Sequence, residues 1–231
     1  MNVKLISYTK TDEDYVAHLA ANSDASDMEF LKAINEPEAL MMYIARVSSP
    51  NQKNPTYEKL LKYCMDHGHW SVFEQVDATL EIETSLDVAT QILRHRSFTF
   101  QQLSRRYSGE TPSFESIEPR GQDLKNRQNS FDNLPQEVKE MFKDELLKHN
   151  ASSMALYKKM LDLGVAKENA RSFLPQNTTT RLYMKGSLRS WLHYLKVRTD
   201  PSTQKEHRDV ALAIRDELLK VFPKTFSAFE G

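Results

Sequence analysis

Only one cysteine, Cys64, occurs in the chain, so no internal disulfide can staple it, and a reducing cytoplasm is the expected setting. No apolar run approaches the roughly twenty residues that a membrane helix needs, and no signal peptide is recognisable. Net charge is almost absent as well. The 31 Lys and Arg against 32 Asp and Glu leave a formal −1, which disfavours broad electrostatic binding to nucleic acid or to an anionic membrane. Internal repeats and low-complexity linkers are missing too, so the 231 residues read as a single domain, 1–231, large enough for a sizeable core. Cys64 shares a helical face with Leu60 and Leu61, which marks a buried structural thiol rather than a nucleophile.

One further absence is local. The stretch Arg94-His95-Arg96-Ser97-Phe98-Thr99-Phe100-Gln101-Gln102-Leu103-Ser104-Arg105-Arg106-Tyr107 holds four arginines and a histidine in fourteen residues without a carboxylate. Guanidinium groups fork onto phosphates through paired charge-assisted hydrogen bonds, and Ser104 and the two amides add short-range donors. An arginine-rich turn is more often a solvated face. Here Ser85 can cap a helix through Leu86, Ala89, Ile92 and Leu93, and the arginines continue past its end beside Phe98, Phe100, Leu103 and Tyr107, residues that favour burial. Arginines tied to a buried strip usually have partners, which points to a phosphate-bearing ligand. A strand-binding module stacking bases on the aromatics is the competing class; the balanced charge of the whole chain argues against it.

Hydrophobic periodicity gives one α+β unit. Residues 2–8 read as a strand, and the Asp-, Ser- and Asn-rich stretch that follows reads as a variable loop or ragged helix. A helix is expected over 38–47, and Asn54-Pro55 offers a cap and first turn for another that Gly68 would end. In 75–83, Val76, Ala78, Leu80 and Ile82 alternate with Asp77, Thr79, Glu81 and Glu83, the pattern of a strand with one buried face. A long helix is expected over 134–163, a strand over 178–183, helices over 187–197 and 203–221, and a short tail after Pro223.

Several constellations carry possible chemistry. Gln91 and Arg94 lie three apart on one helix and can meet a single planar ligand, although a local helix-end pairing fits the spacing equally. The successive amides and guanidiniums of 102–106 could wrap a monophosphate. His67 and His69 near Glu74 are weak evidence for a metal, none is expected, and His67 suits a helix C-terminus. Arg189 and His193, four apart, project from one side of a helix. Arg198 lies nine residues from Arg189, half a turn away at about 100° per residue, so either the helix stops first or two sites use its two sides.

The 94–107 segment resembles the signature of the flavin-dependent thymidylate synthases: Arg-His-Arg, seven residues, Ser, then Arg-Tyr. Arg94, His95, Arg96, Ser104, Arg106 and Tyr107 match; Thr99, Gln101 and Gln102 stand where Ser, Asn and often Glu are usual. Upstream, His67-Gly68-His69-Trp70-Ser71-Val72-Phe73-Glu74 and Gln91 are similar to the family's pattern. Downstream, Ala170-Arg171-Ser172-Phe173-Leu174-Pro175, the helix from Ser187 (commonly Asn) to Arg198, and Gln204 and Glu206 continue the likeness.

The resemblance implies a small, mostly antiparallel sheet flanked by long helices, and reductive methylation of dUMP to dTMP. FAD would be the bound cofactor, NADPH the reductant and methylenetetrahydrofolate the one-carbon donor. It places His69, Ser71 and Glu74 around the flavin, with Arg94, His95, Arg96, Gln102, Ser187, Leu188, Arg189 and His193 also at cofactor positions. Gln91, Ile92, Leu93, Arg94 and Gln102 fall at dUMP positions, together with Leu103, Ser104, Arg105, Arg106, Arg171 and Arg198. Arg198 is the catalytic position, where a fixed cation can stabilise negative charge developing on the pyrimidine. A homotetramer with active sites shared between chains is implied, with the 102–106 loop and Arg171 reaching the nucleotide from partner chains.

Overall fold

In the computed structural model, residues 1–230 are described, the side chain of Glu230 apart. The chain runs β1 (Asn2–Tyr8), α1 (Glu13–Ala21), α2 (Met28–Ala33), α3 (Pro37–Ala45), α4 (Glu58–Asp66), β2 (Asp77–Ser85) and α5 (Leu86–Ile92). It continues through β3 (Thr99–Gln102), β4 (Gly121–Gln122), β5 (Ser130–Phe131), α6 (Gln136–Asp162) and α7 (Lys167–Ala170), then β6 (Thr179–Ser187), α8 (Leu188–Arg198), α9 (Lys205–Leu219) and α10 (Pro223–Glu230). The main sheet has the order β1-β2-β6-β3 with every neighbour antiparallel, and β4 and β5 form a separate small ribbon.

The expected alternation decides where the core sits. Val76, Ala78, Leu80 and Ile82 are all at or below 1% exposure, and across the ladder Leu80 faces Met184 and Ile82 faces Leu182. A slip of one residue would turn this whole row to water, at about 1.5–3 kcal/mol for each large side chain, so the register is strongly specified. Helices α5, α8 and α9 cover the buried face. Their contribution includes Trp191, Leu195, Val210, Ile214 and Leu218, and the Trp191 indole donates to the Ala78 carbonyl at 3.3 Å. Gly186 is required where β6 meets the 94–107 segment, because a Cβ there would lie 2.4 Å from the Phe98 ring.

Three expectations are corrected. Helix α4 begins at Glu58 rather than at Asn54-Pro55, since the Asn54 side chain turns back to accept the Thr56 amide at 2.8 Å and closes a local turn instead. Strand β6 extends past Tyr183 to Ser187, because Met184, Lys185 and Gly186 find partners on both β2 and β3 or β2 alone. Residues after Pro223 form α10 rather than a tail. The buried Glu38 carboxylate accepts the amides of Thr225 at 2.6 Å and Lys224 at 3.3 Å, supplying the helix with an anionic cap from α3. The polar stretch after β1 also folds into helices: Asp12 caps α1, and Leu19, Phe30 and Ile34 close a second, smaller core. As expected, Gly68 and Gly164, both at positive φ, follow the ends of α4 and α6.

Candidate active site

Helix α8 organises the first part of the site. Ser187 is its N-cap and accepts the Ser190 amide at 3.4 Å. Leu188 enters the core, and its amide donates to the Val76 carbonyl. The exposed side of the helix then presents Arg189, His193 and Lys196 to a cleft of about 550 Å³, which Trp70, Glu74, Ser97 and Phe229 also line. Ser71 is exposed on the same 3-10 turn as Trp70 and Glu74. Arg189 and Glu74 form an ion pair of 2.6 Å with both side chains about half exposed, a contact worth at most about 1 kcal/mol and therefore readily exchanged for a ligand. The chemistry of the lining suits an extended, phosphate-bearing cofactor with a planar ring: a guanidinium, an ammonium and an imidazole for anions, an indole for stacking, and a carboxylate that can accept only from hydroxyl or N–H groups.

The opposite side of α8 carries Arg198. The helix stays regular to that residue, so its two ends serve two places, Arg189 on Glu74 and Arg198 on His95. Arg198 Nε donates to His95 Nε2 at 2.9 Å. Burial, then the charges of Arg198 and His193, push His95 down to about 4, so the ring is neutral and carries its proton on Nδ1. Next to it lies His207, fully buried and pushed down to about 3 by burial and then by Arg198 and His95. Tyr194 OH lies 3.0 Å from His207 Nε2, and His207 Nδ1 lies 3.2 Å from Gln91 Oε1. The Gln91 amide nitrogen in turn donates to Gln204 Oε1 at 2.6 Å. Arg94 and Arg96 flank this cluster and are exposed. Ile92 lies wholly in the core, whereas Leu93 is partly exposed beside Arg94.

The second anion-binding candidate lies beyond the end of β3. Gln102 donates to Thr180 Oγ1 at 3.3 Å, and the Leu103 amide is taken by the Arg181 carbonyl. Ser104 closes the following turn by accepting the amides of Tyr107 and Ser108. The two arginines part company. Arg105 is buried and donates to the Thr179 and Glu110 carbonyls, holding the loop onto β6, so its guanidinium faces inward and Arg106 is the one turned outward. Arg106 meets Glu168 at 3.2 Å, and Arg171 donates to the carbonyl of the same Glu168 at 3.2 Å. Two outward arginines of one chain thus flank one residue of α7, a pairing their 65-residue separation hides. Tyr107 is 77% exposed and does not join the core, being left beneath the Arg106 guanidinium at 5.6 Å.

His67 is the C-cap of α4, with Nδ1 on the Tyr63 carbonyl. Cys64 is buried, which raises its thiol pKa and opposes thiolate chemistry. His207, Tyr194, Trp70 and Lys196 join the site although no motif singles them out. A signal existed for the first of them: His207, Val210, Ala211, Ile214 and Leu218 share the buried stripe of α9, and a histidine on such a stripe must find partners inside.

Comparison with known proteins matches residues 4–224 to the family described as thymidylate synthase complementing protein. A flavin-dependent thymidylate synthase of Synechocystis is 56% identical over 194 residues, covering 84% of this chain and 90% of that protein. A probable flavin-dependent thymidylate synthase of Paramecium bursaria Chlorella virus 1 is 42% identical over the whole of this chain and 99% of its own length. A third, from Thermosipho africanus, is 32% identical across 80% of this chain and 82% of that protein.

Proposed function

This chain belongs to the thymidylate synthase complementing protein family, and from that premise we propose that it is an FAD-dependent thymidylate synthase. It converts dUMP to dTMP, taking the one-carbon unit from methylenetetrahydrofolate and reducing equivalents from NADPH. The observation that carries this reading is the division of α8 into two differently equipped sides. One side opens a cation- and aromatic-lined cleft; the other holds Arg198 against a neutral imidazole.

The cleft residues fit the cofactor's chemistry. Arg189 and Lys196 match a pyrophosphate, as do the exposed Arg94 and Arg96 beside Ser97, and Trp70 offers a ring face. Glu74, Ser71 and Ser187 are suited to hydroxyl or ring N–H groups, and His193 to a polar edge of the same ligand. Bound there, the flavin supplies the redox chemistry. The protein's own part is to orient and to stabilise charge. Gln91 and Arg94 face the nucleotide's base, and Ser104, Arg106 and Arg171 receive its phosphate. Arg198, with Nε committed to His95, keeps its terminal N–H groups for the pyrimidine as negative charge develops. His95 cannot compete for a proton near neutral pH, so the charge stays on Arg198 alone. Arg105 acts on the loop rather than on the ligand.

We further propose that the site is completed between copies of the chain, in a homotetramer. The phosphate loop sits at the Thr179 to Arg181 end of β6, whereas Ser187 and Arg189 lie at the other end. The eight residue steps from Thr179 to Ser187 put the loop about 26 Å from the cofactor cleft of the same chain, more than a mononucleotide spans when its base must meet the flavin. A second copy supplying the loop removes the difficulty, and α6 offers a surface for one: Val138, Met141, Phe142 and Leu156 are exposed on one side of its 27 residues.

The experiment is the absorption spectrum of pure, folded protein titrated with FAD, then with dUMP. A yellow complex whose flavin bands move when dUMP is added is expected. Absence of flavin binding defeats the cofactor reading; flavin binding without any response to dUMP in spectrum or calorimetry reduces the protein to a flavin reductase.

A further inference from the structure

Gln91 lies in the middle of a hydrogen-bond chain whose polarity is set from its outer end, at Arg120. Arg120 Nη2 donates to Glu206 Oε2 at 2.9 Å and Nη1 lies 2.9 Å from Oε1, a two-pronged grip in which the guanidinium has no acceptor to offer. Burial works against the Glu206 charge, yet the bonds from Arg120 and Gln204 hold its carboxyl below the usual range. An ionised carboxylate accepts only, so Gln204 must turn its amide nitrogen to Oε2 at 3.0 Å. That leaves Gln204 Oε1 as the acceptor for Gln91 Nε2. Gln91 Oε1 must then face the next partner, His207 Nδ1, which therefore carries the proton. His207 Nε2 is bare and accepts from Tyr194 OH. Every choice follows from the first.

After these bonds the Gln91 amide has one N–H on Nε2 and one lone pair on Oε1 left, at fixed places. A uracil edge carries an N–H between two carbonyls; a cytosine edge has an amino group and a bare ring nitrogen there. An amide free to flip serves either edge, whereas a fixed one serves only the edge whose donors and acceptors match. We infer that His207 is a positioning and specificity-determining residue: by donating from Nδ1 to Oε1 it completes the hold that Gln204 begins at Nε2, and the Gln91 amide, fixed at both ends, reads uracil. This rests on the nucleotide reading of the site proposed above. His207 touches neither nucleotide nor cofactor in this account and acts through Gln91.

Two polar replacements separate this role from packing. His207→Asn keeps an amide N–H near the place of Nδ1, whereas His207→Gln carries its N–H near the place of Nε2, away from Gln91. With FAD-loaded protein and titration of dUMP and dCMP, His207→Asn keeps the preference for dUMP. His207→Gln weakens dUMP about tenfold, the scale of one hydrogen bond, and narrows the preference accordingly, with FAD occupancy unchanged in both. In a Gln91→Ala background the two His207 variants become indistinguishable, because the partner through which they act is gone.

Nitrogen-15 spectra of histidine-labelled wild-type protein test the same point without any variant. His207 is expected to carry its proton on Nδ1, with that resonance moving on addition of dUMP. An Nε2–H tautomer, or His207→Asn and His207→Gln losing dUMP and dCMP affinity alike, overturns the inference. Wild-type protein that binds FAD but no dUMP overturns the nucleotide reading itself, and the inference falls with it.

Discussion

Arg198 and Arg106 sit at the two ends of the proposed nucleotide site, and their surroundings are opposites. Arg198 is tied to a half-buried, neutral His95, and behind it Tyr194, His207, Gln91, Gln204, Glu206 and Arg120 form a connected chain. Arg106 stands on a loop with its guanidinium half exposed against an equally exposed Glu168. The ion pairs that anchor the two regions differ in the same way: Arg120 and Glu206 are 13% and 25% exposed, Arg106 and Glu168 50% and 53%. An exposed pair is worth at most about 1 kcal/mol, whereas breaking the inner one strands a charge. The end proposed to meet the reacting base is thus built in advance, and the end proposed to meet the phosphate can yield its protein contact to an incoming anion. Preorganisation is concentrated where charge must be stabilised in the transition state.

The comparison breaks first at Arg198. Arg198→Ala should lower kcat by about 10²–10³-fold, the scale of a lost charge-stabilising donor, while FAD occupancy is retained, since the cleft uses the other side of α8. Steady-state kinetics and the flavin absorbance of the purified variant check both halves of that statement. A variant that loses FAD and turnover together would make Arg198 a structural residue.

Arg106→Ala should act on binding instead. The lost charge-assisted bonds are worth about 1.5–3 kcal/mol, so dUMP affinity falls about 10–100-fold while kcat at saturating dUMP changes little, and Arg171→Ala acts in the same direction. Calorimetric titration with dUMP and with the uncharged nucleoside sharpens the point: the nucleoside should bind wild type and Arg106→Ala alike. A large kcat defect in Arg106→Ala would erase the contrast between the two ends.

Acid provides a third way to separate the regions. His95 and His207 are held neutral in the folded protein, at about 4 and about 3 against an ordinary 6.5. Between those values the unfolded chain takes up protons that the folded chain refuses. Their contribution to stability is therefore complete above pH 6.5 and declines as pH falls toward 4 and then 3, by up to about 1.4 kcal/mol per pH unit for each. Urea unfolding at several pH values should show this slope in wild type and a shallower one in His207→Asn. Equal slopes would mean that His207 does not titrate on unfolding.

The smallest effect on turnover is expected at Cys64. Its thiol is buried in the core beneath α4 and faces neither end of the site, so Cys64→Ser should keep dTMP synthesis even if a buried hydroxyl lowers stability by about 1–3 kcal/mol. Loss of turnover in a folded Cys64→Ser protein would favour thiolate catalysis.

How much of this was legible in the sequence depended on how local the cause was. The β2 alternation, the start of α5 after Ser85 and the stop at Gly164 all follow from spacing along the chain and have their counterparts in the structure, although the Ser85 hydroxyl donates to Asp87 instead of capping a helix amide; of the two readings that spacing left open for α8, the helix stays regular to Arg198. Helix α10 was hidden because its cap comes from Glu38, 187 residues before Thr225. Arg105 and Arg106 are neighbours of one chemical type, and only the pairing of the loop with β6 decides which turns inward. Glu168 brings Arg106 and Arg171 together across a distance no motif records. His207 left a trace as the polar residue on an apolar stripe, but its partners come from α5 and α8, so its role could be read only after the helices were packed.

The claim that one chain's prebuilt end meets another chain's loop is tested most directly by mixing subunits. Arg106→Ala and Arg198→Ala proteins are unfolded, refolded together and assayed for dTMP formation at dUMP far below the KM of Arg106→Ala, where each alone has little activity. Mixed oligomers should regain partial activity, because some pockets then combine an intact Arg198 from one chain with an intact Arg106 from another. Arg106→Ala mixed with Arg171→Ala should regain none, since both arginines flank Glu168 of the same chain and no pocket can receive the two intact. Verified mixed oligomers that stay inactive in the first pairing, or recovery in the second, would contradict the account.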